Sequence, residues 1–228
     1  MSRILHIETA TQNCSVSLSE NGKLLAFKEQ TGNYTHAENL TVFIQQVLEE
    51  ANLNFKQLDA VSVSKGPGSY TGLRIGVSTA KGICFALEIP LIAVDTLKSM
   101  TKGVLLNQIE ADLFCPMIDA RRMEVYAEIV DRKLNLVRSV NADIVDENTY
   151  SEFLRENSVC FFGNGMIKCK EILSTFNNSI FVEGIEPSAK YMIEMATEKF
   201  LKKEFEDVAY FEPHYLKDFI AGKPKKLL

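Results

Sequence analysis

The alternation of apolar and polar residues changes period several times in the first hundred positions, and each change predicts an element. Arg3 to Ile7 is a short apolar run, Cys14 to Ser19 alternates with Val16 and Leu18 on one side, and Leu24 to Lys28 follows the turn signal Asn21-Gly22. Strands this close together predict antiparallel hairpins. From His36 to Asn52 the period lengthens: Leu40, Phe43, Ile44, Val47, Leu48 and Ala51 recur at helical spacing, which predicts an amphipathic helix with Thr35 as its N-cap. Leu58 to Ser64 is a β-branched run ending at Gly66-Pro67-Gly68. Thr71 to Leu87 reads as helix before Pro90, and Leu91 to Val94 as strand.

A second series begins near Phe114. Phe114 to Ile118, Glu124 to Asp131, Leu134 to Asn141 and Val159 to Phe162 read as strands, with a helical stretch near Tyr150 to Glu156 and a turn at Gly163-Asn164-Gly165. Lys190 to Asp207 reads as a charged amphipathic helix with Ile193, Ala196 and Phe200 along one stripe. The pattern divides into an α/β lobe over residues 1–104 and a second over 105–228, the last helix and tail packing back on the first lobe. No short-period repeat or low-complexity segment interrupts it.

Composition narrows the function classes. Of 228 residues, 46% are hydrophobic and 24% charged, with 12 glycines and 6 prolines, values of a globular chain. The net charge of −5 argues against independent, salt-sensitive nucleic-acid binding, so any RNA would be held mostly by a partner. No apolar run approaches the roughly 20 residues of a membrane span and no signal-peptide pattern opens the chain, so a cytoplasmic protein is expected. The five cysteines, Cys14, Cys84, Cys115, Cys160 and Cys169, are scattered without a C-x-x-C pair and are expected to be buried thiols.

The richest stretch for chemistry is Ser64 to Gly76, SKGPGSYTGLRIG, a strand running through glycines into a helix. Backbone N–H groups at such a helix start can seat an anion. The stretch is neither a Walker A loop, since Leu73-Arg74 follows Gly72, nor a dinucleotide fingerprint, and a ligand-free tight turn explains it equally. Gly72, Gly76, Ala80 and Cys84 fall four apart, a ridge of small side chains that either packs on the chain's own sheet or admits a foreign backbone. His6, His36 and His214 have no ligand spacing, and no G-x-S-x-G elbow gives Ser69 a base. Asp119-Ala120-Arg121-Arg122 is either a salt-bridged turn or an acid with two guanidiniums at a strand end.

Four segments, ILHIETATQNCSVSL (Ile4 to Leu18), SKGPGSYTGLRIGVSTAKGICFAL (Ser64 to Leu87), IPLIAVDTLKSM (Ile89 to Met100) and MIDARRMEVYAEIVD (Met117 to Asp131), resemble the TsaB (YeaZ) family, with weaker likeness at Phe162 to Gly165 and near Pro213. The resemblance implies a two-lobed actin/Hsp70-like ATPase (ribonuclease H-like) fold of mixed sheets with flanking helices. It implies a non-catalytic subunit that supports TsaD in transferring threonylcarbamoyl to N6 of the adenosine beside the tRNA anticodon. The auxiliary ATPase TsaE is the further partner, tRNA is met through the complex, and self-pairing through the same helices is possible.

The His-x-x-x-His metal pair of TsaD aligns with Thr96 and Met100 here, neither of which replaces an imidazole. No cofactor is therefore expected on this chain, with ATP and a metal used by partner subunits. Glu8 stands where the superfold often has Asp, and its longer carboxylate would intrude on a bound phosphate. Thr9, Thr11, Gly66, Gly68, Ser69 and Thr71 are thereby a vestigial nucleotide site. The family's helix pairing implies a partner surface of His36, Leu40, Phe43, Ile44, Val47, Gly72, Arg74, Gly76 and Ala80. Lys217, Lys223, Lys225 and Lys226 form a basic tail that either solubilises the chain or brushes tRNA. Alternative readings are a phosphotransferase holding Mg²⁺ through Glu8 and Asp119, and a metallopeptidase, for which no zinc ligand set assembles.

Overall fold

The structure, a computed structural model, describes residues 1–32 and 35–217. Strands β1 (Arg3–Glu8), β2 (Asn13–Glu20) and β3 (Lys23–Thr31) form the expected antiparallel meander. Helix α1 (Thr35–Glu50), β4 (Ala60–Ser64), α2 (Tyr70–Leu87) and β5 (Leu91–Val94) then add two strands parallel to β1. The sheet order is β3-β2-β1-β4-β5. Thr35 is the first residue of α1 rather than a cap before it.

The second sheet repeats this plan. Strands β6 (Leu113–Asp119), β7 (Glu124–Asp131) and β8 (Leu136–Ile144) make the meander, and β9 (Val159–Phe162) and β10 (Ser179–Val182) add the parallel strands, in the order β10-β9-β6-β7-β8. Helices α4 (Ser151–Leu154) and α5 (Met166–Leu173) cover one face of it.

Helix α3 (Thr96–Leu105), read in the sequence only as part of a boundary, buries Leu97, Met100 and Val104 against Phe114, Ile118 and Val130 on the other face. The chain then returns to the first sheet. A 3-10 turn (Ala189–Met192) and helix α6 (Ile193–Lys202) lay Ala189, Met192 and Ala196 on Ile4, Ala60, Ile92 and Val94. Each lobe thus completes its core with an element from beyond its own run of strands. α6 stops short of Asp207 because Lys203 turns left-handed (φ 57°) and caps it. The segment after it runs as a strap: Glu206 bridges Leu91 on the edge of β5, and Lys81 Nζ donates to the carbonyls of Ala209 and Phe211. His214 N–H then donates to Lys65 O, and Lys217 pairs with Glu124 of the second sheet. Lys223, Lys225 and Lys226 lie outside the described residues.

Candidate functional site

The loop after β1 and the glycine-rich turn before α2 meet directly. Thr9 Oγ1 donates to Gly72 O at 2.8 Å and Ser69 N–H donates to Ala10 O at 2.6 Å. A Cβ built on Gly68 would lie 2.3 Å from Ala10 O, and one on Gly72 would lie 2.2 Å from Thr9 O. Ser69 Oγ accepts from Gly72 N–H at 3.3 Å, so the start of α2 is capped by its own side chain. Thr9, Thr11 and Gly66 are buried, Gly68 is half-buried, and only Ser69 and Thr71 of the expected nucleotide set are exposed. The Ser69 and Gly72 N–H groups at this helix start are thus taken up by protein acceptors. Glu8 corrects the expectation of an intruding carboxylate: fully buried, it turns back so that Oε1 accepts from Ala10 N–H at 2.7 Å. Burial pushes its carboxyl up to about 7.

The small-residue ridge is corrected in the same way. Gly72, Gly76, Ala80 and Cys84 are buried, and a Cβ on Gly76 would lie 2.3 Å from Thr9 Oγ1 and 3.5 Å from Ile7. The ridge admits the chain's own backbone, not a foreign one. Leu40, Ile44 and Val47 likewise belong to the first core and Phe43 packs against it. His36 is half-buried, its Nε2 donating to Thr11 O at 2.6 Å and pinning α1 to the loop. Burial lowers its pKa in spite of that bond. Arg74 alone of the expected partner residues is exposed.

What faces outward on α2 is a different set. Tyr70, Thr71, Arg74, Ile75, Ser78 and Thr79 line one groove of about 540 Å³. A second groove, of about 680 Å³, lies between Lys81, Gly82 and Phe85 on α2 and Asp207 to Ala209 of the strap. Phe85 is 82% exposed and a Cβ on Gly82 would meet nothing within 4 Å. Arg74 lies back over Tyr70, its guanidinium 5.2 Å from the ring centroid and its Nη1 donating to Tyr70 OH at 2.6 Å, while the Tyr215 ring of the strap lies 4.8 Å from that of Tyr70. Helix α1 lies on the same face of the sheet. It carries Glu38, Glu49 and Glu50 without a lysine or arginine, whereas α2 carries Arg74 and Lys81 without an acid. Of the residues expected on this helix pair from the sequence only Arg74 faces outward, and the exposed Phe85 near the end of α2 was not among them.

The remaining expected residues do not assemble a catalytic set. His6 is fully buried between Ser62 and Ser19, at 2.7 and 2.8 Å, and burial lowers its pKa to about 3. Thr96 Oγ1 accepts from Gly66 N–H at 3.2 Å and Met100 is buried in the second core, so neither position presents a ligand. No group of three or more His, Cys, Asp or Glu side chains among the described residues is arranged to hold a metal ion. All five cysteines are buried and unpaired. Asp119 is exposed and ion-paired to Lys168 rather than to the neighbouring arginines, on the other lobe from Glu8. No helix among the described residues is long and apolar enough to cross a membrane.

Comparison with known proteins adds the following. A family model described as "TsaD: tRNA N6-adenosine threonylcarbamoyltransferase" matches residues 30–225. The chain is 29% identical over 232 residues to the Haemophilus influenzae tRNA threonylcarbamoyladenosine biosynthesis protein TsaB, covering 96% of this chain and 95% of that one. The solved structure of YeaZ from Pseudomonas aeruginosa superposes with a TM-score of 0.78 at 24% identity, covering 95% and 100% of the two chains. An activator of 2-hydroxyisocaproyl-CoA dehydratase from Clostridium difficile shares the architecture at a TM-score of 0.51 and 10% identity, over 90% and 98%. The two mixed sheets with flanking helices are those of the two-lobed actin-like ATPase fold.

Proposed function

We propose, because the chain belongs to the TsaD family (tRNA N6-adenosine threonylcarbamoyltransferase), that it is a non-catalytic subunit docking a TsaD-type enzyme and supporting threonylcarbamoyl transfer to tRNA. The observation that carries this reading is the outward face of α1 and α2: two grooves, an exposed Phe85 and an exposed Arg74 beside an acidic helix. A buried aromatic or arginine anchor is the usual source of binding energy at such a face. The helices carry opposite charge, so a relative of the same fold, or a second copy of this chain, can set its α2 against this α1 across a two-fold axis.

The chain supplies no bond-making group in this reading. The loop after β1 and the glycine-rich turn before α2 close on each other at the start of that helix, and in this reading ATP and the metal belong to the partners, TsaD and the ATPase TsaE, and the tRNA is met through the assembled complex in the cytoplasm. Reconstitution tests it. A TsaD-type enzyme, TsaE, the threonylcarbamoyl donor and tRNA modify the adenosine only when this chain is added. Modification by this chain alone, or micromolar binding and turnover of Mg-ATP by it, would overturn the reading.

A further inference from the structure

The turn joining β6 to β7 is the sequence motif that the docking face leaves unused. Ala120 N–H donates to Glu124 O at 3.0 Å and Glu124 N–H donates to Arg121 O at 3.1 Å, so the chain reverses within Arg121, Arg122 and Met123, all exposed. Arg121 and Arg122 have φ of 71° and 49°. Left-handed backbone suits glycine and asparagine, and two consecutive arginines there carry a conformational cost that an Asn-Gly pair avoids. The acids that flank them are engaged elsewhere. Asp119 pairs with Lys168 and accepts the Arg121 backbone N–H at 2.8 Å, and Glu124 pairs with Lys217. Among the described residues no carboxylate lies within ion-pair distance of either guanidinium.

The hairpin tip is therefore locally cationic on a chain of net charge −5. The tip is exposed, and none of its residues lines either groove on α2. An exposed pair of arginines at a hairpin tip suits the surface of a polyanion rather than a small enclosed anion.

We infer that Arg121 and Arg122 contact backbone phosphates of the tRNA on which the complex acts, an assignment that rests on the docking role proposed above. The test uses the full-length chain assembled with the TsaD-type enzyme and a tRNA transcript, with affinity followed against salt. Replacing the pair by Arg121→Asn with Arg122→Gly removes both charges and relaxes the backbone. Its melting temperature is expected to equal or exceed that of the parent. Affinity is expected to fall about tenfold near 0.1 M salt, and the slope of log affinity against log salt to become shallower by roughly 1 to 2. Arg121→Lys with Arg122→Lys is expected to restore the slope. An unchanged slope in the neutral variant, or no restoration by the lysine pair, overturns the inference while leaving docking intact. A parent chain that fails to assemble with the enzyme overturns the docking role instead.

Discussion

Lobe for lobe, the two sheets share one strand order, yet the helix that follows the fourth strand is built differently in each. In the first lobe α2 runs for 18 residues from a side-chain cap at Ser69, whereas α5 runs for 8 from Gly165 without one. Each has glycines pressed against the end of the central strand or the loop that follows it. Gly72 and Gly76 abut Thr9, and Cβ atoms on Gly163 and Gly165 would lie 2.4 Å from Met117 O and 2.9 Å from the Ile118 carbonyl carbon. Close glycine packing at the end of the central strand is thus found in both lobes, by α2 itself in the first and by the turn before α5 in the second, and reports nothing about partners. What distinguishes the first lobe is length: α2 continues far enough to present Arg74, Ser78, Gly82 and Phe85 outward on one face.

Breaking the inward contact gives the largest effect. Gly76→Leu drives a side chain into Thr9 Oγ1 and Ile7 and is expected to cost about 3 kcal/mol, read as a lower denaturant midpoint with an unchanged slope. A loss under about 0.5 kcal/mol would mean that the helix and loop do not approach as described.

Carboxyl burial sharpens the comparison next, because each lobe hides a carboxylate. In the second lobe, Glu128 on β7 is 3% exposed, and burial with the nearby Asp95 raises its pKa to about 8 against the opposing pull of Lys98 and Lys65. Its folded pKa lies above the unfolded value of about 4.3, so the folded state holds the extra proton between them. The contribution of Glu128 to stability is full below the unfolded pKa and is lost as pH rises toward 8. The loss is at most about 1.4 kcal/mol per pH unit. Buried Glu8, at about 7, acts in the same sense in the first lobe. His6 acts in the opposite sense: with its pKa lowered to about 3, stability is lost as pH falls below the unfolded value of about 6.5. Glu128→Gln is therefore expected to flatten the decline in melting temperature between pH 5 and pH 8. An equal decline in the variant would remove Glu128 from the account.

The smallest effect is expected on the outward side of the same helix. Gly82→Leu meets open space and should change unfolding free energy by less than about 0.5 kcal/mol. A cost as large as that of Gly76→Leu would erase the distinction between the two sides of α2.

Much of this fold is legible in residue pattern. Alternation and β-branched runs mark β5, β7 and β9 at their observed ends, and the period of Leu40, Ile44 and Val47 marks α1. Helix α3 is harder to read because its buried positions include Thr96, Ser99 and Thr101. Ser99 and Thr101 satisfy their hydroxyls on the carbonyls of Thr96 and Leu97, so polar residues occupy core positions without cost to the backbone. Helix α5 and β10 are short, and the four half-buried residues of β10 give too little alternation to mark it. At the candidate site, spacing reveals that α2 has a small-residue ridge but not which way it faces. That depends on Thr9, more than sixty positions earlier, whose hydroxyl lies against it. Glu8 is similar: its identity suggests a reach into a cleft, and only the bond from Ala10 N–H shows it turned inward.

The central claim is that the exposed side of α2 receives the partner while its glycines serve the chain's own core. The most direct test is Phe85→Glu, with affinity for the TsaD-type enzyme measured alongside melting temperature. The account predicts a melting temperature equal to the parent's and a binding constant weakened about a hundredfold. Parent-like affinity in a folded variant would contradict it.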